Sequence, residues 1–358
     1  MKMMRICAGF CAIALAVAGC GDDDDTTLLP DGGSATDAST DAMAMSDAGA
    51  LAEHLAQTDL YSNFAARTIN PALIEYTPAH ALWSDSALKR RWMSLPPGTK
   101  IDTSDMNHWR FPVGTRFYKE FAAPSGNGIY ETRLIEVTGV DEFRMVSFVW
   151  NLAQTDAIAT PDGALDINGS QHDAPSSADC RTCHRGEPGR ILGFSAMQLS
   201  TPVGATSLLT TLASQNKLTN APASSAGYPV PGNATESAAI GYLHANCGHC
   251  HNPDTPVYNQ TQMVLRYDIS QTTVATTNVV VTAVGQDLSS AAYYSNPAHA
   301  SEKRITPGNH MLSAIWVRMN ARGNNDQMPP QPFTELTDGA ATTGGLAKVT
   351  AWIDSLTP

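Results

Sequence analysis

Hydrophobic positions divide this 358-residue chain into stretches of very different character. An apolar run from Ile6 to Ala18 follows a short basic start, Lys2 and Arg5. At about 13 residues it falls short of the ~20 that a membrane span requires, which predicts an export signal rather than a span. Residues 21–58, opening "GDDDDTTLLPDGG", have no periodicity and no aromatic residue. Such a segment cannot bury enough apolar surface to offset its ordering entropy, so disorder is expected. From about 59 to 170 the pattern becomes extended. Alternation runs through "WRFPVGTRFYKEF" (109–121), "YETRLIEVTGV" (130–140) and "FRMVSFVWN" (143–151), with Pro, Gly and Asp turns between. From about 171 short helical patterns take over. A helix is expected over Thr235–Ala245, another over "NHMLSAIWVRMN" (309–320). A third covers "GGLAKVTAWIDSLTP", where Leu346, Val349, Trp352, Ile353 and Leu356 fall at helical spacing. A β interruption is expected at "QMVLRYD" (262–268) and "NVVVTAV" (278–284). The fold class read from this is α+β: a β-rich domain at 59–170 followed by a mainly helical region at 171–358 with a short β insertion.

The residues closing the leader refine the picture. Val17-Ala18-Gly19-Cys20 resembles the lipobox of bacterial lipoproteins, in which the signal (1–19 here) is cut before a cysteine that then carries lipid. Cys20 is the expected lipidation site, and residues 20–58 become an acidic tether that holds the body off a membrane. The expected location is the periplasmic side of the cell envelope. Gly21, where an Asp would favour inner-membrane retention, slightly favours the outer membrane. Charge follows the same division. The chain carries −12; without Lys2 and Arg5 it carries −14, of which the nine acids of the tether account for −9, leaving −5 for the body. A mildly acidic body gives no reason to expect nucleic-acid binding.

Cysteine usage supplies the chemistry. Cys7 and Cys11 lie in the leader and Cys20 at its end, so only Cys180, Cys183, Cys247 and Cys250 remain in the body. They form two C-x-x-C pairs, each followed at once by histidine: "CRTCH" at 180–184 and "CGHCH" at 247–251. C-x-x-C-H is the attachment pattern of c-type haem. Cysteines at i and i+3 share one face of a helical turn, where their thiols can add to the two vinyl groups on one porphyrin edge. The histidine at i+4 continues that face and brings an imidazole to the iron. Two covalently bound haems c are expected, with His184 and His251 as proximal ligands. Zinc and disulfides are the competing readings. Zinc ribbons pair their C-x-x-C units across ~15–20 residues, whereas 63 residues lie between Cys183 and Cys247. Disulfides would suit an oxidising compartment but not the trailing histidines.

Each iron has a second axial position. Of eight methionines in the body, Met328 stands out, in the polar, proline-stiffened loop "GNNDQMPPQPF". A core methionine belongs in an apolar periodic stretch. A Met-Pro loop ahead of a C-terminal amphipathic helix resembles the end of a class I cytochrome c domain, and Met328 is assigned to the 247–251 haem. For the 180–184 haem, His172, Met197 and Met106 are all candidates, or the position is open. His244 and His249 are read as bystanders, the first a surface or packing histidine, the second exposed.

The run "HALWSDSALKRRWMSLPPGTKID…WRFPVGTRFYKEF…ETRL…FVWN", then "DCRTCH…LGFSAMQLS", "GYLHANCGHCHNP" and "QMPP", resembles a family of bacterial dihaem c-type cytochromes over about residues 76–354. The resemblance implies haem binding and electron transfer and brings no established substrate. The leading expectation is a lipid-anchored dihaem cytochrome relaying electrons between redox partner proteins, its β-rich domain without assigned role. The alternatives are a dihaem peroxidase or oxidase-like enzyme with one open haem, and a β-domain that binds a ligand or partner through Trp83, Trp92, Trp109, Phe117, Tyr118 and Trp150. Those aromatics read more simply as core.

Overall fold

The computed structural model describes residues 50–200, 207–223, 227–289, 299–330, 338–339 and 343–358, all within one unit spanning Ala48–Pro358. The expected signal, the Cys20 lipidation site and the tether as far as residue 49 lie outside the described residues. Residues 51–58, expected as the end of that tether, belong instead to the body. Leu55 and Leu60 are fully buried, His54 pairs with Asp156 at 2.9 Å, and Asp59 accepts hydrogen bonds from Ser94 and Tyr118. Leu55, with Leu51 and Ala52 packed against the same core, and the His54–Asp156 hydrogen bond dock a segment whose composition alone predicts disorder.

The β-rich region opens with a hairpin, β1 (Tyr61–Asn63) and β2 (Thr68–Ile69). A six-stranded antiparallel meander follows: β3 (Ile74–Glu75), β4 (Leu88–Ser94), β5 (Arg116–Ala122), β6 (Ile129–Gly139), β7 (Glu142–Trp150) and β8 (Ala157–Ala159), ordered as they occur in the chain. Period-two alternation gives its central strands two unlike faces. On one, the cross-strand row Trp92–Tyr118–Leu134–Val146 joins Phe148 and Trp150 in a core with Leu55 and Leu60. On the other, Met93–Phe117–Ile135–Met145 lies beside the row Arg91–Lys119–Arg133–Ser147. Met93 and Phe117 pack there with Phe194, Leu199, Leu209 and Leu212, so a single core draws on both the sheet and the chain beyond residue 171. Five of the six aromatics considered for ligand or partner binding are core residues: Trp92, Trp109, Phe117, Tyr118 and Trp150. In the 109–121 stretch only Arg116–Ala122 is strand, because Pro112 and the left-handed Gly114 turn the chain before it.

Beyond the sheet come seven α-helices among the described residues: α1 (Ser177–His184), α2 (Leu208–Ser214), α3 (Ala234–Asn246), α4 (Pro256–Thr261), α5 (Asn278–Ala283), α6 (Ala314–Asn320) and α7 (Gly345–Ser355). None is long and apolar enough to cross a membrane. Helix α3 starts on an Asn233–Glu236 capping box. It packs on α7, whose Val349, Trp352 and Ile353 enter a third core with Ile240 and Leu243. The expected β insertion is not formed. Asn278–Ala283 is helical, with Val279 and Ala283 on its buried side and Val281 exposed; burial of an i, i+4 pair outweighs the strand preference of β-branched valine. Residues 262–268 form no strand among the described residues, and Gln262 at their start is left-handed.

Phe148→Ala should cost about 3–5 kcal/mol of folding stability, because it removes a fully buried ring. The exposed Leu152→Ala should stay within about 0.5 kcal/mol. Urea unfolding of both variants measures the contrast.

Candidate functional site

Helix α1 begins on a capping box between Ser176 and Asp179 and is fixed to the sheet where the Ser177 hydroxyl donates to the Met145 carbonyl at 2.7 Å. Its i, i+3, i+4 spacing places Cys180, Cys183 and His184 on one face. His184 Nδ1 faces the Arg190 carbonyl and so carries the proton there, which leaves Nε2 as the lone-pair nitrogen.

The second motif is built differently. Helix α3 ends at Asn246, Cys247 is its cap, and 247–251 forms one further turn in which Cys250 and His251 N–H groups both donate to the Cys247 carbonyl. Fully buried Asn252 donates from its side chain to the Gly248 and His249 carbonyls and closes that turn. The segment 262–268 then props it. Leu265 N–H donates to the His251 carbonyl at 2.9 Å and Tyr267 N–H to His244 Nδ1 at 3.0 Å, while Val264 N–H goes to the Thr282 hydroxyl. These bonds take the place of the sheet the alternation predicts. His244 is therefore an interior support, and His249, expected to be exposed, lines the site cavity.

The two motifs are neighbours. A Cβ at Gly186, two residues past His184, would lie 2.2 Å from the His249 carbonyl oxygen, so only glycine permits this approach. Arg266 donates to the Gly186 carbonyl from one side and to Asp254 at 3.0 Å from the other, tying both motifs to 262–268.

Both motifs line one cavity of about 670 Å³, within the ~300–1,000 Å³ range of ligand pockets. Burial holds His184 at about 3 and His249 and His251 at about 4, so all are neutral imidazoles near pH 7. Burial also pushes the thiols of Cys183 and Cys247 up to about 12. A dithiol tuned for disulfide exchange has the opposite shift. All four cysteines are free. Among the described residues no three His, Cys, Asp or Glu side chains converge as a protein-bound metal ion would need. Paired thiols along one edge and a neutral imidazole with a fixed tautomer form the donor set a covalently held porphyrin requires.

The structure brings Met328 and His251 together: both line the cavity and a smaller one of about 60 Å³ beside it. The Met328 loop is tied to α6, Met328 N–H donating to the Arg318 carbonyl at 2.9 Å and Arg318 to the Asp326 carbonyl. Met319 and Met263 share the smaller cavity. Around the first motif the candidates separate. Met106 packs against the core shared by sheet and helices and is not part of the cavity wall. Met197 is a buried core residue that also reaches the wall. His172 is buried at the wall, stacked on Tyr130, with Nε2 bonded to Glu131 Oε1 at 2.8 Å. Sequence reasoning missed the basic residues of the wall, among them Arg91, Lys119, Arg133 and Arg266. Three of them are on strands, and the only available signal was their alternation onto one face.

Comparison with known proteins finds no matching family model, no matching curated protein and no matching solved structure.

Glu131 gives the site its acid sensitivity. Burial alone would raise its carboxyl, but Arg133 and His172 hold it at about 2, against an ordinary 4.5. A depressed carboxylate contributes stability above its unfolded value and loses it as pH falls through the folded one. The protein should lose stability between about pH 4.5 and 2. Glu131→Gln should start less stable at pH 7 and fall less steeply across that window, as measured by urea titrations at stepped pH.

Proposed function

We propose that this chain is a dihaem c-type cytochrome that relays electrons between redox partner proteins at the periplasmic face of a membrane, held there through lipid on Cys20. The observation that carries this reading is the meeting of two C-x-x-C-H motifs on one cavity, with neutral, tautomer-fixed or buried imidazoles. In it, Cys180 and Cys183 hold one haem and Cys247 and Cys250 the other, and His184 and His251 are the proximal ligands. The mainly helical 171–358 region is then cytochrome c-like. Bound haem supplies a one-electron ferric/ferrous couple. The chain orients His184 through the Arg190 carbonyl and encloses both motifs in one cavity. It also brings the motifs into backbone contact at Gly186 and His249, which supports transfer between the two centres. Met328 is the sixth ligand offered to the second centre.

One observation favours a second reading. His172 is engaged by Glu131 and Met197 is packed in a core, so each of the two candidates that reach the cavity wall is already committed elsewhere. An open position there suits a peroxidase or oxidase-like enzyme.

Exported and matured with haem, the protein should carry two haem masses by intact-mass spectrometry. Cys180→Ala/Cys183→Ala and Cys247→Ala/Cys250→Ala should each carry one; unmodified wild type would end the haem reading. Redox titration should resolve two one-electron steps. Met328→Ala should lose the methionine–iron charge-transfer band of the ferric state and lower one midpoint potential. A retained band would move the assignment to Met319 or Met263. Carbon monoxide binding by the reduced wild type would favour the enzyme; a fully low-spin, unreactive protein would favour the relay.

A further inference from the structure

The inner face of the sheet carries an unusual charge row. Arg91 on β4 is directly opposite Lys119 on β5, and Lys119 is directly opposite Arg133 on β6. Side chains so paired stand about 5 Å apart, and like charges there repel. All three line the cavity. The one carboxylate in this part of the sheet, Glu131, serves Arg133 and His172. Among the described residues the Lys119 side chain makes no hydrogen bond or ion pair, and its ammonium lies 4.7 Å from the Phe121 ring. Arg91 is 5 % exposed and, among the described residues, its guanidinium makes no hydrogen bond or ion pair and opens onto the cavity. A guanidinium largely withdrawn from bulk water is costly without a partner, and an anion in the cavity would offset that cost. Guanidinium geometry matches a carboxylate in bidentate fashion.

The row also has a direction. Arg133 is near enough to Cys180 and Cys183 for both thiols to feel its charge. Arg91 stands two strands further away, about 10 Å across the sheet. On a porphyrin the propionate edge lies across the macrocycle from the vinyl edge that thiols attack. We propose that Arg91 and Lys119 bind the propionate carboxylates of the haem carried by Cys180 and Cys183, an inference that rests on the dihaem reading above. The row thus sets the angle of that haem in the cavity and raises its potential, because nearby positive charge disfavours the ferric state.

The test uses the full-length, haem-loaded protein and the variants Arg91→Met, Lys119→Met and Arg91→Lys. Each should retain two haem masses. In the two methionine variants one midpoint potential should fall while the other stays, and Arg91→Lys should recover part of the loss. Wild type titrated with succinate should show no change in spectrum or potential, its carboxylate site being filled from within. Two haems with both potentials unmoved in Arg91→Met and Lys119→Met would overturn the assignment and leave the dihaem reading standing. So would a saturable succinate response that Arg91→Met abolishes, since the row would then serve a free carboxylate. Absence of haem from the wild type would sink both.

Discussion

Glu131 is a charge placed where water does not reach, and much of the molecule is arranged around the cost of keeping it there. The residue is fully buried on β6. Arg133, two residues along the same strand, and His172, from the chain that leads into α1, share its Oε1 atom. That bond to His172 joins the sheet to the segment just ahead of the first C-x-x-C-H motif. A buried carboxylate without partners would protonate or force a rearrangement. With these two it stays ionised and fixes where α1 lies against β7. The same face must then be polar where it meets the cavity and apolar where it meets Phe194 and Leu209, and the strands divide along their length in that way.

The two motifs reach similar chemistry by different local routes. The first uses a regular capped helix, and the helix itself supplies the spacing. The second uses a turn beyond a helix end, which has no rigidity of its own and borrows it from Asn252 and from residues 262–268. This accounts for the buried Asn252 and for a segment that forms no sheet: three of its N–H groups are spent on His251, His244 and Thr282.

Much of this was readable in the sequence, and what was not has identifiable causes. Strands β6 and β7 and helix α3 were found within one residue at each end, and helix α7 within three, because each buries one face in a regular period. Strand β4 was not found. Its sequence, LKRRWMS, places three consecutive basic residues where a strand pattern expects alternation, and the cations facing the cavity are what obscured it. Valine content misled the reading of 278–283, since propensity is weaker than the burial of Val279 and Ala283. The cysteines and histidines of the site were legible because covalent spacing is a local property. The approach of Gly186 to His249, the Glu131–His172 bond and the sharing of Met319 and Met263 with Met328 join residues far apart in sequence, and no local pattern encodes them.

The core shared by the sheet and the later chain bears on how the molecule can be divided. Ile191, Phe194, Leu199, Leu209 and Leu212 bury themselves against Met93, Trp109 and Phe117 rather than against the helices that follow. A cut near residue 170 would look like a domain boundary by composition, yet it would bare one wall of a hydrophobic interior on each piece. The sheet is thus a structural half of the motif-bearing region and not an appendage to it. Gain or loss of the sheet as a cassette, of the kind that shuffles independent modules between proteins, is closed to this chain unless both faces of that interior are rewritten together.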